Sequence, residues 1–273
     1  MRIHVLNCGT MRPRGARIFI PDMSFCPCLC LLIEKEDRLI LVDTGLGTRD
    51  MEDPYRRLGY SNALLNARRD KEQTALRQIR VMGFNPSQVT DIICTHLDRD
   101  HAGGLCDFPE AKVHVMRIER DSALDPPTLK ERERYRKCHF SHNPKWVTHE
   151  AISSQDWFGM ECIRETDGLP REIVLIPLPG HTRGHCGVAV KDEKGWLLHC
   201  GDTYYTSKEL AEGGNTPLGV RCFRSIAHMN HAAAMFQLDR IRTLLRERGD
   251  RIAAIATHDW TEYSRRFSKN INS

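Results

Sequence analysis

THLDRDH, at residues 95–101, carries four side chains of the kinds that bind metal ions: His96, Asp98, Asp100 and His101. It follows residues 90–94, whose β-branched and apolar side chains predict a buried strand. A turn at the end of a strand can aim alternate side chains at one point, whereas the adjacent Asp100 and His101 would more easily serve a second, neighbouring ion. Imidazole together with carboxylate suits zinc, iron or manganese better than magnesium or calcium. A solvated turn capped by aspartates is the alternative, and four donors at this spacing make it the weaker interpretation.

Three further stretches show the same arrangement, a predicted strand followed by a metal-binding side chain. His181 follows residues 173–176, Asp202 follows residues 196–200, and His258 follows residues 252–256. Each of these side chains lies near glycine or threonine. We therefore expect seven donors on one rim of a sandwich: His96, Asp98, Asp100, His101, His181, Asp202 and His258. Seven donors are enough for two ions that share a carboxylate.

On these motifs the sequence resembles the metallo-β-lactamase superfamily and, within it, the N-acyl-homoserine lactonase branch. The superfamily signature is His-x-His-x-Asp-His, followed by a single His, a bridging Asp and a last His. The matching residues are His96, Asp100, His101, His181, Asp202 and His258. The strand and turn at residues 41–45 also match, and the resemblance spans about residues 28–260. It implies an α/β fold, the four-layer αββα sandwich of the metallo-β-lactamase fold, with two divalent metal ions.

One position departs from the signature, because Asp98 stands where the family carries its second histidine. A carboxylate is a harder ligand than imidazole, so the first metal position gains negative charge. Zinc is the first expectation, and iron or manganese are alternatives because of Asp98. This side chain either ligates directly or accepts a hydrogen bond from His96 or His181.

The resemblance implies a dinuclear hydrolase that opens a lactone or similar ester by attack of a metal-bridging hydroxide. Asp100 would be a ligand and a proton shuttle, and Tyr205 would polarise the substrate carbonyl, with Tyr204 as the competing candidate. Asp202 stands where some β-lactamases carry a cysteine ligand, which argues against antibiotic hydrolysis. Thioester or phosphodiester hydrolysis and a di-iron redox function are the alternatives.

Composition limits the class of protein. The chain has 273 residues, of which 40% are hydrophobic and 28% charged, which excludes a disordered or membrane class. A net charge of +4 is too small and too dispersed to indicate nucleic-acid binding. The densest basic run, residues 130–137, is interleaved with acids and predicts a solvated helix face. The eleven cysteines, without a recognisable signal peptide, favour reduced thiols in a cytoplasmic protein.

We expect a single domain over residues 1–273 that binds a small-molecule substrate without nucleic acid or membrane, and a homodimer is left open. A possible lid lies at residues 118–170, because Trp146, Trp157 and Phe158 are too apolar for a plain solvated loop, although packing against the sandwich explains them equally well. The N-terminal loop at residues 11–25 is a second candidate wall of the pocket. Two further side chains have no single expected role. Arg99 would meet an anionic substrate or a surface acid, and His228 is expected at the surface or as a helix cap.

Overall fold

The computed structural model describes residues 1–150, 156–164, 166, 168–211 and 216–267. The strands are β1 Arg2–Met11, β2 Cys26–Lys35, β3 Arg38–Val42, β4 Val89–Ile93, β5 Lys112–Met116, β6 Lys145–His149, β7 Asp156–Trp157, β8 Met160–Glu161, β9 Ile173–Pro177, β10 Cys186–Asp192, β11 Gly195–His199 and β12 Ile252–Ile255. The α-helices are α1 Ala16–Phe19, α2 Thr48–Glu52, α3 Pro54–Leu58, α4 Asn62–Leu65, α5 Ala75–Val81, α6 Arg99–Ala102, α7 Arg117–Leu124, α8 Leu129–Arg134, α9 Leu218–Ala227, α10 His231–Arg248 and α11 Trp260–Phe267.

Two sheets form the centre of the fold. The first has six strands in the order β1-β2-β3-β4-β5-β6, and the second has four in the order β12-β11-β10-β9. Strands β3 to β6 run parallel to one another, as do β11 and β12, whereas the other pairs in the two sheets are antiparallel. The carboxyl ends of parallel strands meet at one edge of a sheet, and the loops that leave these ends carry the predicted metal-binding side chains.

Successive side chains of a strand point to opposite faces of its sheet, and this alternation produces the layers of the fold. In β2, Leu29, Leu31 and Ile33 face the second sheet, where they join a core with residues of β9 and β10. Cys30 and Leu32 face the other way and pack with the side chains of α5. The outer face of the second sheet is covered by α10 in the same manner. The predicted four-layer αββα sandwich is confirmed.

Local sequence explains where the main helices begin. A 3-10 turn at Lys71–Gln73 precedes α5, which begins after Thr74 because the Thr74 side chain caps it by accepting from the amide of Arg77. Asn230 caps α10 in the same way, since its side-chain oxygen accepts from the amide of Ala233. In the part of the chain with coordinates, no helix combines the length and apolar character that a bilayer span requires.

The segment at residues 118–170 is not one lid. It contains most of α7, then α8, the sheet strand β6 and the hairpin β7–β8, while residues 151–155, 165 and 167 lie outside the described residues. Trp146 packs partly buried against the core of the first sheet, and Trp157 is fully buried against the outer face of the second. These aromatic residues are therefore packing residues, and the part of the segment that reaches the site is α8.

Candidate metal centre

The seven predicted donors converge on one rim, as the sequence indicated. His96 and Asp98 lie in the loop after β4, and Asp100 and His101 lie in α6. His181 lies in the turn between β9 and β10. The loops after β11 and β12 supply the other two donors, Asp202 and His258.

Two groups of donors lie side by side. In the first, the ligand atoms of His96, Asp98 and His181 are all within 4.8 Å of one another. Asp98 Oδ2 lies 3.4 Å from His96 Nε2 and 3.1 Å from His181 Nε2. Asp98 therefore stands where a direct ligand would stand.

The second group contains Asp100, His101 and His258. Asp100 Oδ2 lies 3.3 Å from His258 Nε2 and 3.9 Å from His101 Nε2. The thiol of the buried Cys28 is within 4.8 Å of the ligand atoms of Asp100 and His258. Nothing in the sequence marks this thiol as a ligand, because the strand β2 that carries it is a continuous buried run.

Asp202 lies between the two groups. Its Oδ2 is 3.4 Å from His181 Nε2 and 3.4 Å from His258 Nε2, and its Oδ1 is 3.3 Å from His101 Nε2. The backbone amide of Asp202 donates to His185 Nε2 at 3.0 Å, which fixes the loop that carries the carboxylate. One carboxylate thus faces both donor groups.

Hydrogen bonds at Nδ1 aim three of the histidine rings. His258 Nδ1 donates to the carbonyl oxygen of Pro27 at 2.8 Å, and His101 Nδ1 donates to the carboxylate of Asp43 at 2.8 Å. The hydroxyl of Thr95 donates to Asp43, so it accepts from His96 Nδ1 at 3.0 Å. With the proton on Nδ1, each neutral ring presents the Nε2 lone pair to the centre, as a metal ligand requires.

Asp43 holds this arrangement from the turn at residues 41–45. Its backbone has φ +56°, a left-handed conformation that is uncommon outside glycine, and its carboxylate also accepts from the amide of Thr95 at 2.8 Å. At the neighbouring Gly45, with φ +63°, a Cβ would lie 2.2 Å from the carbonyl oxygen of Cys8. The turn therefore needs glycine for conformation and for space.

The carboxylates are ionised. Burial opposes this, but Arg134 and His96 hold the pKa of Asp98 well below its ordinary value. Against the same effect of burial, the hydrogen bond to His258 helps to lower the pKa of Asp100 to about 2. Burial raises the pKa of Asp202, but His258, His101 and His181 together hold it well below its ordinary value. Concentrated negative charge of this kind attracts cations.

The pKa values of the histidines are shifted in different directions, depending on the charges beside each ring. Burial would lower the pKa of His101 and of His258, but the charge of Asp202 raises both well above the ordinary value. Burial and the charge of Arg134 lower the pKa of His181 to about 4. A bound cation would displace protons from the first two rings, whereas His181 is already neutral.

Unsatisfied atoms show that the site fits metal ions. Four buried atoms at the centre make no hydrogen bond with the described residues: His96 Nε2, His101 Nε2, Asp98 Oδ1 and Asp202 Oδ1. Leaving buried polar atoms without partners costs about 1–3 kcal/mol each, so such atoms mark a place for a missing partner. Nitrogen and carboxylate oxygen donors at these separations are the chemistry of a divalent transition metal.

Arg134 enters the first donor group from the end of α8. Its Nη1 donates to Asp98 Oδ2 at 2.6 Å and lies 2.9 Å from His181 Nε2, and its Nη2 donates to the carbonyl oxygen of Ala227. The prediction of a solvated helix face over residues 130–137 is wrong for Arg134 and also for Glu131, which is buried and bonded to Arg183.

Arg99 does not face the pocket as a free cation. Its guanidinium donates to the carbonyl oxygens of Leu58 and Glu133, the latter at 2.5 Å, and to the hydroxyl of Ser61. These contacts join α3 and α8 across the site. Arg99 is buried, so its interpretation as a surface residue is wrong, and its contact with an anionic substrate stays a prediction. It fixes the backbone beside Arg134.

The two neighbouring tyrosines, Tyr204 and Tyr205, point to different parts of the molecule. Tyr205 is buried beside the centre, with its hydroxyl 3.2 Å from His181 Nδ1. Tyr204 points into the core of the second sheet and donates to the carboxylate of Glu262 at 3.1 Å. Only Tyr205 of the two is therefore placed to meet a substrate.

His228 was missed by sequence reasoning. It is buried, with Nδ1 3.2 Å from His181 Nδ1, and its Nε2 has no hydrogen-bond partner among the described residues. The expectation of a surface position is wrong, whereas His228 is the C-cap residue of α9, with its backbone amide donating to the carbonyl oxygen of Arg224. Its sequence context, a polar link between two helices, contains no signal for this contact.

A cavity of about 540 Å³ opens above the two donor groups. Its apolar lining comes from the N-terminal loop, α4 and α9: Met11, Ala16, Ile20, Met23, Leu64, Leu65, Phe223 and Ile226. Its basic lining consists of Arg14, Lys130, Arg99 and Arg134. The expectation that the N-terminal loop forms a wall is confirmed, although Phe19 itself is exposed.

The chain belongs to the metallo-β-lactamase superfamily, whose family model matches residues 23–269. It is 37% identical over 259 residues to a probable metallo-hydrolase of Mycobacterium tuberculosis, which covers 95% of this chain and 80% of that protein. An N-acyl homoserine lactonase of Bacillus thuringiensis is 26% identical over 189 residues, 68% of this chain and 67% of the lactonase. A solved N-acyl homoserine lactone hydrolase, with the product N-hexanoyl-L-homoserine at its catalytic metal centre, has a TM-score of 0.71 at 20% identity, covering 96% of this chain and 95% of that one. The protein is thus a metal-dependent hydrolase.

Proposed function

We propose that this protein is a dinuclear metal-dependent hydrolase that opens a lactone or a similar ester. The observation that carries the proposal is the Asp202 carboxylate, which lies 3.3–3.4 Å from histidines of both donor groups. His96, Asp98 and His181 would hold one ion, and Asp100, His101 and His258 the other. We call these two places the first and the second metal position.

Bound divalent ions would supply an activated water near neutral pH and polarise the substrate carbonyl. We propose zinc in both positions. The carboxylate of Asp98 keeps iron and manganese as alternatives, because it hardens the first position.

Two side chains of the chain itself would act on the substrate. Burial and the charge of Asp202 raise the pKa of Tyr205 well above its ordinary value, so the phenol stays protonated and can donate to a carbonyl oxygen. Asp100 is ionised at neutral pH, so its carboxylate can accept the proton of the attacking water and pass it to the ring oxygen as the acyl–oxygen bond breaks.

The cavity favours a substrate with an apolar acyl group. Its wall of aliphatic and aromatic side chains leads directly to Tyr205 and Asp202. Burying each methylene of an acyl chain there contributes about 0.8 kcal/mol to binding. The unpaired cysteines favour a reducing compartment, so we also propose a cytoplasmic location.

A substrate panel tests the proposal. We expect the zinc-loaded protein to hydrolyse γ-lactones with medium-length acyl chains, and chelation followed by zinc addition to abolish and restore turnover. An Asp202→Ala variant is the control for contaminating activity. If fully metal-loaded protein turns over no lactone or ester, the proposal is wrong.

Thioester or phosphodiester hydrolysis is the second candidate. Arg14 and Lys130 line the cavity and would suit a substrate that carries phosphate or carboxylate groups. Including acyl thioesters and phosphodiesters in the same panel separates the candidates, because the preferred class shows the highest kcat/KM. Iron in freshly purified protein, with no hydrolysis of any class, would instead favour a di-iron redox function.

A further inference from the structure

The guanidinium of Arg134 contacts two of the three side chains that would hold a metal ion in the first position. Nη1 lies 2.6 Å from Asp98 Oδ2 and 2.9 Å from His181 Nε2. A neutral imidazole has one acceptor nitrogen, whose lone pair serves either a hydrogen-bond donor or a metal ion. At His181 Nε2, the contact with Arg134 and a bond to a metal therefore exclude one another.

Arg134 is held in this place by its own helix. Arg99 donates to the carbonyl oxygens of Glu133, at 2.5 Å, and of Arg134, at 3.4 Å. One turn earlier in the helix, Lys130 Nζ donates to the carbonyl oxygen of His228 at 2.6 Å. These contacts fix α8 against the rim, so the guanidinium reaches the first position from an anchored backbone.

Within the described part of the chain, the second position has no such competitor. The ion pairs of Asp100 within the described residues are with His101 and His258, which are themselves candidate ligands. The one guanidinium that the described residues place on a candidate ligand atom is that of Arg134, on the first group. The two positions are therefore chemically unequal even though they share Asp202.

We propose that Arg134 is an internal competitor for the first metal position, so that the centre binds its two ions with unequal affinity. This rests on the dinuclear centre of the proposed function. The competition also explains why residue 98 is aspartate where the family signature has histidine, since a carboxylate binds a guanidinium and a histidine in that place would not. The apparent affinity of the first position equals its intrinsic affinity multiplied by the fraction of molecules in which Arg134 is withdrawn.

The test is a zinc titration at buffered free zinc, with bound metal counted by elemental analysis. We expect the wild-type protein to bind one equivalent tightly and the second only at about ten-fold or higher free zinc. In Arg134→Met, which keeps much of the side-chain volume without charge, the second equivalent tightens by about ten-fold or more. Arg132→Met is the matched control, because Arg132 is exposed on the same helix, and it should titrate like the wild type.

Two results would overturn the proposal. One is a wild-type titration in which both equivalents bind with the same affinity, a result that does not depend on whether any variant folds. The other is a folded Arg134→Met protein whose second equivalent binds no more tightly than in the wild type. The readout is separate from the substrate panel: a metal titration as expected, with no ester or lactone turned over, would contradict the proposed function and leave the competition standing.

Discussion

Replacing each of the two neighbouring tyrosines with phenylalanine should separate catalysis from stability. Tyr205 lines the cavity beside His181, whereas Tyr204 is buried behind it and bonded to Glu262. Tyr205→Phe removes a donor to the substrate carbonyl, and Tyr204→Phe removes a hydrogen bond to a charged group in the core. The substitutions are chemically identical and one residue apart.

The structure sets the two magnitudes. Loss of one preorganised donor to a developing oxyanion lowers kcat by about 100-fold, or roughly 2.7 kcal/mol. The single contact of the Tyr205 hydroxyl with His181, at 3.2 Å, limits its effect on stability to about 1 kcal/mol. For Tyr204, a hydrogen bond to a carboxylate contributes about 2 kcal/mol, which corresponds to a Tm lower by roughly 4–8 °C.

Steady-state kinetics on the best substrate of the panel, thermal unfolding and metal content would be measured for both variants. We expect Tyr205→Phe to lose activity with unchanged metal content, and Tyr204→Phe to lose thermal stability with nearly unchanged kcat. The reasoning fails if Tyr205→Phe keeps full kcat, or if the two variants lose activity equally.

Three further predictions concern the centre and its support. Asp202→Ala removes the shared carboxylate, so elemental analysis should find less than one metal ion per chain; two retained ions would contradict a shared ligand. Asp50→Asn should lower the free energy of unfolding by about 3 kcal/mol at pH 7, because burial raises the pKa of Asp50 but His139 and Arg57 outweigh it and hold the pKa below 3.8. A carboxyl with a lowered folded-state pKa stabilises the protein above pH 3.8 and loses this effect as the pH falls through the folded-state value. Urea unfolding should therefore show that the difference in unfolding free energy between wild type and Asp50→Asn shrinks below about pH 4. A difference at pH 3 as large as at pH 7 would refute this prediction. Gly45→Ala should cost more than about 2 kcal/mol by the same assay, since its φ is +63° and a Cβ would meet the Cys8 carbonyl oxygen; wild-type stability would show that this turn can relax.

Much of the site could be predicted from the sequence because its signals are local. Each of the seven candidate ligands lies in the loop or short helix that follows a strand, and the strands themselves are visible as short apolar runs. Once parallel strands meet at one edge, their terminal loops must converge. The same locality explains why the four strands predicted before these ligands lie within one residue of β4, β9, β11 and β12.

Contacts between distant segments could not be predicted. Arg134 pairs with Asp98 across 36 positions and with Ala227 across 93. Its surroundings in the sequence have the alternating charges of any solvated helix, so nothing local marks it as buried. His228 and Arg99 are similar, because their roles depend on partners in other loops. The apolar character of Trp157 was evident, but whether it faced substrate or core depended on the placement of the second sheet.

Anomalous diffraction from crystals grown with zinc tests the central claim most directly. We predict two peaks flanking the Asp202 carboxylate, one among His96, Asp98 and His181 and the other among Asp100, His101 and His258. The peak at the first group should have the lower occupancy when zinc is limiting. No peak beside Asp202 at saturating zinc, or zinc bound only elsewhere in the molecule, would contradict the account.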